Sequence, residues 1–234
     1  MTRLTQHDPL PLVLVVLTVT TGLVDAVSVL GLGRVFTANM TGNVVFLGFA
    51  VAGAPGLSVP RCLASIAGFL VGATLGGRFG VAMSGISRRR WLLRVAIVEA
   101  ALFFAAALFS LRYDIETLTP AAQLYAMIVL TAVAMGLRNA TVRRLAVPDL
   151  TTTVLTLTLT GIAADSPLAG GNNTRLGRRL ASTGAIFVGG AIGALLLYKV
   201  GLAVPLIVTG ACIFVITVAY AAHPASKTAA SNAR

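Results

Sequence analysis

The chain has 234 residues, of which 57% are hydrophobic and only 11% are charged, and its mean hydropathy is +0.91. Soluble domains carry about 25% charged residues, so this composition predicts a protein that lies in a membrane and contacts the lipid bilayer. It excludes ordinary soluble enzymes, disordered regulators and secreted disulfide scaffolds. The net charge of +11 does not indicate a nucleic-acid partner, because the arginines lie between apolar runs, where the positive-inside rule expects them.

Eight apolar segments follow one another along the chain: residues 10–32, 40–54, 62–84, 95–111, 121–137, 150–164, 180–198 and 200–222. Most are long enough to cross about 30 Å of hydrocarbon as helices. The second and sixth hold only 15 residues each, a length typical of re-entrant or broken helices. We therefore expect an all-α polytopic helical bundle that forms one membrane domain over residues 1–234, with flexible tails at 1–9 and 223–234.

The second half of the chain repeats the first. The matching stretches are 22–26 with 136–140, Thr37 and Thr41 with Thr152 and Thr156, and 69–76 with 186–193. Their offsets of 114, 115 and 117 residues keep the match collinear. Such internal duplications are common in transporters and channels.

The distribution of Lys and Arg constrains the topology. If both short segments enter and leave on one side, 14 of the 18 basic residues share the side of the two termini. If all eight segments crossed, the basic residues would divide 8 to 10 between the two sides. If residues 40–54 were the one short segment that crossed, the chain would have seven spans and the division would again be 14 to 4. Since the repeat treats the short segments alike, we expect six spans in two inverted repeats, about 10–111 and 120–222, with both termini in the cytoplasm.

Two runs carry a resemblance to a known family. Residues 22–26 followed by Phe-Thr-Ala-Asn-Met-Thr-Gly-Asn at 36–43, and residues 136–140 followed by a threonine run, resemble the YoaK-like family. These are bacterial multi-pass membrane proteins grouped as a domain of unknown function. The resemblance covers nearly the whole chain and implies a location in the bacterial inner membrane. It brings no established activity, so function has to be argued from the residues.

Asp25 is an ionisable residue inside the first apolar segment, and such residues face a cavity or a partner. Thr18, Thr21 and Ser28 share its helix face and form a polar stripe with it. The stripe predicts a carboxylate that handles a solute or a proton in a hydrated path. A structural carboxylate hydrogen-bonded to a neighbouring helix is the alternative.

Arg138 and Asn139 occupy the position equivalent to Asp25 in the second half. A direct Asp25–Arg138 ion pair would have to bridge roughly 15 Å along the bundle axis, so we expect two charges at opposite ends of one hydrated path. A helix-end arginine on the cytoplasmic side is the alternative for Arg138. Glu99 is expected to pair with Arg94 near the membrane interface.

The first short segment and the residues before it carry Thr37, Asn39, Thr41 and Asn43. Irregular backbone at membrane depth is tolerated only where it is buried in protein or lines a cavity. Asn39 or Thr37 could cap a half-helix there and leave backbone donors facing an anion or a polar solute. A simple N-cap at the interface is the alternative.

The second short segment carries Thr152, Thr156 and Thr160, which form one hydroxyl stripe on a helix. The stripe could line a path, or its hydroxyls could bond to carbonyls of their own helix. Small-xxx-small spacing of glycines indicates close helix packing within or between protomers, and a homo-oligomer could use the faces of Gly72/Gly76 and Gly189/Gly193.

These features favour a transporter or channel for a small polar solute or ion, with proton coupling through Asp25 as one form of it. The apolar body contains no histidine, and the chain has no metal-ligand spacing, dinucleotide fingerprint or paired carboxylates. We therefore expect no cofactor and no enzymatic activity. A non-catalytic membrane scaffold or accessory subunit is the main alternative, and a membrane-embedded lipid-modifying enzyme is the other.

Overall fold

The computed structural model of the protein describes residues 8–83, 87–145 and 155–227. Over these residues the regular structure is helical: α1 (Leu10–Gly31), α2 (Met40–Val51), α3 (Val59–Ala82), α4 (Arg88–Ser110), α5 (Ala121–Leu145), α6 (Leu155–Ala164), α7 (Leu176–Val200) and α8 (Ala203–Ala222). Two short 3-10 turns, Pro167–Ala169 and Pro224–Lys227, complete it. The predicted all-helical bundle is confirmed.

Six helices in this part of the chain are long and apolar enough to cross a membrane: α1, α3, α4, α5, α7 and α8. Large apolar side chains remain exposed on their outer faces. Phe187 is 76% exposed, Leu108 is 70% exposed and Val215 is 65% exposed. In water such a surface would be unstable, whereas in a bilayer it faces hydrocarbon chains.

Helices α4 and α5 extend beyond the ends that the apolar pattern predicts for them. α4 begins at Arg88, seven residues before its apolar stretch, and α5 continues to Leu145, eight residues beyond its own. Arginine and leucine are good helix formers, and the basic last turn of α5 is favourable at a helix C-terminus. Arg138 therefore lies inside α5, and the helix-end interpretation of this arginine is wrong.

The end of α1 and the start of α3 lie together, at what we call the Tyr113 end of the bundle. The Tyr113 hydroxyl donates to the Gly31 carbonyl at 3.1 Å, and burial raises the pKa of this phenol to about 12. The chain leaves α1 through Arg34, which has a φ of 58° and whose guanidinium lies against Gly56, just before α3. Arg61 of α3 donates to the Gly56 carbonyl at 3.1 Å. The connections before and after α2 therefore both reach the Tyr113 end.

The opposite end of the bundle, which we call the Asp8 end, collects the other ends of these helices. Arg88 at the start of α4 contacts both Asp8, just before α1, and Tyr220 near the end of α8. Arg144 near the end of α5 lies against Gly80 near the end of α3. Helices α1 and α4 thus begin at the Asp8 end, and α3, α5 and α8 end there.

Helix α7 runs from the Asp8 end to the Tyr113 end. Leu197 near its C-terminus and Leu202 just before α8 both contact Gly31. α6 therefore lies between the end of α5 and the start of α7, which are both at the Asp8 end.

Two glycines at equivalent positions make equivalent helix contacts. A Cβ at Gly22 of α1 would overlap the carbonyl oxygen of Ile186 in α7. A Cβ at Gly136 of α5 would overlap the carbonyl oxygen of Phe69 in α3. Gly136 is 114 residues after Gly22, and Ile186 is 117 residues after Phe69, the offsets of the sequence repeat. Each half of the chain therefore packs its first long helix against a helix of the other half.

The glycine pairs Gly72/Gly76 and Gly189/Gly193 also pack within the chain. Gly72 and Gly76 face the backbone carbonyls of Val133 and Leu137 in α5. Gly189 and Gly193 face those of Val19 and Leu23 in α1. Since α5 and α1 already cover these faces, they are not available to a second copy. The expectation of a homo-oligomer through them is corrected accordingly.

Asp8 and Ser226, in the described parts of the two tails, contact the rest of the structure. Asp8 forms a 3.3 Å ion pair with Arg88. Beyond α8, Ser226 is fully buried in the turn Pro224–Lys227, and its hydroxyl donates to the Ala221 carbonyl at 3.0 Å. Short polar contacts of this kind are not visible in a hydropathy pattern.

Candidate functional site

A buried ion pair lies in the interior of the bundle. Arg138 of α5 is 1% exposed and Glu99 of α4 is 3% exposed, and the Arg138 Nε donates to Glu99 Oε1 at 2.5 Å. Neither of the pairings considered from the sequence is formed. Glu99 lies eleven residues into α4, about 16 Å from the start of that helix. It is therefore near the middle of the helix rather than at the membrane interface. Arg94 instead contacts the Met83 sulfur at 3.1 Å.

The same guanidinium also binds α1. Its Nη1 donates to the hydroxyls of Thr20 and Thr21 at 2.9 and 3.2 Å and to the Leu17 carbonyl at 3.2 Å. Its Nη2 is buried and has no hydrogen-bond partner among the described atoms. A buried donor without a partner is energetically unfavourable.

The ion pair lines part of a cavity of about 30 Å³, which has room for about two water molecules. Its walls are apolar and come from α1, α4, α5 and α8, including Leu14, Val95 and Ile213. Tyr220 lines it near the Asp8 end, and its hydroxyl accepts a 3.3 Å hydrogen bond from Arg88, which also pairs with Asp8 there. The cavity therefore has mostly apolar walls, with the ion pair and the Tyr220 phenol among its polar lining residues.

Asp25 lies one helical turn beyond Thr21, about 6 Å further along α1. Its Oδ1 is buried and has no partner among the described atoms, and the backbone N–H of Ala38 faces the carboxyl. The Ser28 hydroxyl donates to the Asp25 backbone carbonyl at 3.1 Å and so does not serve the carboxylate. The carboxyl thus faces the segment between α1 and α2.

Thr37, in that segment, is fully buried, and its hydroxyl has no partner among the described atoms. Asn39 caps α2 by accepting a 3.1 Å hydrogen bond from the Gly42 N–H, as predicted. Thr41 is exposed. Of these residues, only Thr37 presents an unused polar group to the protein interior.

Asn43 holds the segment in place. Its Oδ1 accepts from the Phe36 N–H at 2.8 Å, and its Nδ2 donates to the Phe36 carbonyl at 2.6 Å and to Ser65 at 3.0 Å. The side chain satisfies backbone groups of an irregular segment next to a long apolar helix. This contact set is structural and leaves no hydrogen-bonding group of Asn43 facing a path.

Among the described path residues of the second half, Arg138 is the one that takes part in the ion pair. Asn139 donates to the Met135 carbonyl of its own helix at 2.8 Å. Thr156 and Thr160 are exposed on α6, where Thr158 is the buried hydroxyl residue. Thr152 lies outside the described residues.

Glu99 and Thr20 are the central residues that the sequence reasoning did not select. Glu99 is an acidic residue within an apolar segment, the same signal that singles out Asp25. Its five-residue separation from Arg94 led to the interfacial interpretation. Only the longer α4 shows that Glu99 lies deep in the bundle.

Six apolar helices with a buried ion pair in their interior define a polytopic α-helical membrane protein. The chain belongs to the DUF1275 family of proteins of unknown function, whose model matches residues 13–219. It is 30% identical over 149 residues to the UPF0700 transmembrane protein YoaK of Bacillus subtilis strain 168. That match covers 64% of this chain and 64% of YoaK, less than two thirds of either. No solved structure matches the chain.

Proposed function

We propose that the protein is a membrane transporter that carries a small polar or charged solute past the Glu99–Arg138 pair. The observation that carries the proposal is the Glu99–Arg138 pair in the bundle interior, next to a cavity that both residues line, with one guanidinium donor, Nη2, that has no partner among the described atoms. Charged groups inside membrane bundles mark substrate paths, because their burial is otherwise unfavourable. As a transporter the protein needs neither a cofactor nor a catalytic centre.

Opposite helix directions in the two halves support an inverted repeat. Helices α1, α4 and α7 begin at the Asp8 end, whereas α3, α5 and α8 begin at the Tyr113 end. The equivalent helices α1 and α5 therefore run in opposite directions, as do α3 and α7. Inverted repeats with short helices near the substrate site recur among secondary transporters. In this proposal α2 and α6 are re-entrant helices.

The packing favours a carrier over a channel. Leu10, Val13 and Leu14 line the cavity at the Asp8 end. The positions 114 residues later are Leu124, Met127 and Ile128, which are at most 4% exposed in the hydrophobic core toward the Tyr113 end. Leu10, Val13 and Leu14 are themselves at most 6% exposed, so apolar side chains pack closely at both ends of the described bundle, as expected of a carrier rather than of an open channel.

The charge distribution gives the proposed orientation. Arg88, Arg89, Arg90, Arg143 and Arg144 are near the Asp8 end, while Arg34, Arg61, Arg112 and Lys199 are near the Tyr113 end. The positive-inside rule puts the Asp8 end in the cytoplasm. The protein is then a bacterial inner-membrane protein with cytoplasmic termini and a cavity on the cytoplasmic side of the bundle.

Reconstitution tests this proposal. Proteoliposomes loaded with a pH-sensitive dye are exposed to a panel of sodium salts of small anions and of neutral polar solutes, while vesicle volume and internal pH are recorded. At least one solute is expected to enter faster than in protein-free vesicles, and Arg138→Gln is expected to abolish the difference.

Two further variants sharpen the result. Asp25→Asn is expected to abolish proton-coupled flux while folding remains near normal, and unchanged flux would remove Asp25 from the path. Glu116→Gln makes the same kind of change to a carboxylate in an exposed loop and serves as the control. If no solute distinguishes the wild type from Arg138→Gln and from empty vesicles, the transport proposal is wrong.

A further inference from the structure

We propose that Asp8, Arg88 and the Tyr220 hydroxyl form a latch that closes the Asp8 end of the cavity. When this latch opens, the ends of α1, α4 and α8 separate, and water and solute reach the Glu99–Arg138 pair from that end. The part of the latch in transport rests on the function proposed above. The closure itself depends only on the contacts at this end of the bundle.

The latch lies directly outside the apolar lining of the cavity. Leu10, Leu92 and Tyr220 are the lining residues of α1, α4 and α8 nearest to the Asp8 end. Asp8 is two residues before Leu10 and accepts a 3.0 Å hydrogen bond from the Leu10 backbone N–H. Arg88 is one helical turn before Leu92 and therefore on the same face of α4. The polar latch is thus the layer between the cavity and the end of the bundle.

One guanidinium nitrogen joins three of the four helices that line the cavity. Arg88 Nη1, at the start of α4, donates to Asp8 Oδ2, just before α1, and to the Tyr220 hydroxyl of α8, each at 3.3 Å. Helix α4 cannot move away from α1 or α8 at this end unless one of these two contacts breaks. The two contacts therefore hold the cavity helices together at the Asp8 end.

The ion pair of the latch is easier to break than the pair in the interior. The side chains of Arg88 and Asp8 are 15% and 14% exposed, whereas those of Arg138 and Glu99 are 1% and 4% exposed. Water that already reaches the outer charges can hydrate both of them when they separate, and ion pairs are weaker where they are exposed. Opening would also hydrate Arg88 Nε, which is buried in the closed latch without a partner among the described atoms. The closed latch is therefore only moderately favoured.

The apolar packing behind the latch is also limited. Among the described residues, the main hydrophobic core has 19 buried members and extends to the Tyr113 end through Leu32, Val35 and Leu202. Toward the Asp8 end there are two smaller clusters, of five and three buried residues, which include Leu10 and Trp91. Because hydrophobic stabilisation scales with the apolar area buried, separating helices at the Asp8 end loses less of it. We therefore expect the bundle to open at this end.

The test measures how fast a cysteine in the cavity reacts with a charged, membrane-impermeant methanethiosulfonate in lipid nanodiscs, where both faces of the protein meet the buffer. Thr217→Cys is the reporter, because Thr217 lines the cavity one turn inside Tyr220 and is 6% exposed. Cys212, which is partly buried, is replaced by alanine. Cys62 is 1% exposed and lies near the start of α3, at the Tyr113 end, so it stays in place and reports any general loosening. Mass spectrometry distinguishes the two labelled sites.

The latch variants should expose the reporter. In Asp8→Asn and in Arg88→Gln, the reporter should react about tenfold faster than with the intact latch, a factor that corresponds to about 1.4 kcal/mol. This value lies between those of exposed and buried ion pairs. Arg88→Lys keeps the charge and should react at nearly the original rate. Arg89→Gln removes the same charge from the next, exposed residue and is the matched control, and Cys62 should stay unreactive throughout.

Four outcomes would each overturn the proposal. The reporter could react as fast behind the intact latch as a cysteine in the exposed loop variant Glu116→Cys, which would mean that this end is already open. The rate could stay the same in both latch variants, which would make the ion pair structural at most. Cys62 could become reactive together with the reporter, or Arg89→Gln could accelerate the reaction equally, and neither effect would be specific to the latch. If Arg88→Gln does not fold, Asp8→Asn, which lies outside the helices, decides alone.

The outcomes also separate this inference from the transport proposal. Faster labelling in both latch variants, with no solute flux above protein-free vesicles, would refute transport and leave the latch standing. Solute flux by the wild type, with labelling that neither latch variant changes, would leave transport standing and refute the latch.

Discussion

Removal of one partner of the Glu99–Arg138 pair is expected to destabilise the protein more than its contacts alone suggest. Breaking a buried ion pair costs about 3–5 kcal/mol, because one charge stays buried without compensation. Glu99→Gln should lie near the lower value, about 3 kcal/mol, since Arg138 keeps the Leu17 carbonyl and two threonine hydroxyls as acceptors. Arg138→Gln should lie near the upper value, about 5 kcal/mol, since Glu99 then loses its cation and α1 loses its hydrogen bonds.

The double variant Glu99→Gln/Arg138→Gln leaves no buried charge. Its loss of stability should be at least about 3 kcal/mol smaller than the sum of the two single losses. The measurement is reversible unfolding in mixed detergent micelles, followed by circular dichroism. Glu116→Gln and Arg112→Gln, on exposed loop residues, serve as controls and should each change stability by less than about 0.5 kcal/mol. Additive effects of the two single changes would refute the reasoning.

Three further predictions follow from the packing and the helix directions. Gly22→Ala should destabilise the protein by about 1–3 kcal/mol, because the added methyl group would overlap a backbone carbonyl of α7. Gly77 has open space around it, so Gly77→Ala should be neutral or slightly stabilising. Equal effects of the two changes on thermal unfolding would contradict the described packing. Asn43→Ala should leave the Phe36 backbone groups without their hydrogen bonds and lower stability by about 1–3 kcal/mol, and a loss below about 0.5 kcal/mol would show that water replaces the side chain. In a chain whose native cysteines are replaced, Ser58→Cys should react with an impermeant thiol reagent from outside intact cells and Ser87→Cys should not, while labelling of both from one side would refute the proposed topology.

Composition and hydropathy predict the class of protein and most of the fold, because the free energy of transferring a helix into lipid is close to a sum over its residues. The six long helices follow from this local property, as do the two short ones. The duplication is also visible in the sequence, since glycines such as Gly22 and Gly136 recur where helices approach closely. The interior location of Asp25 follows from the same hydropathy argument.

The contacts of the site depend on terms that are not local. Arg138 pairs with Glu99 because α4 begins earlier and α5 ends later than their apolar stretches, and because their rotation points the two side chains toward each other. Asn43 likewise bonds to Phe36 only because the irregular segment before α2 folds back toward α3. Sequence alone therefore determined which residues enter the membrane-spanning bundle, since burial in lipid depends on each residue's own polarity. Only the tertiary structure decided which buried charges meet, since that depends on the depth and rotation of helices far apart in the chain.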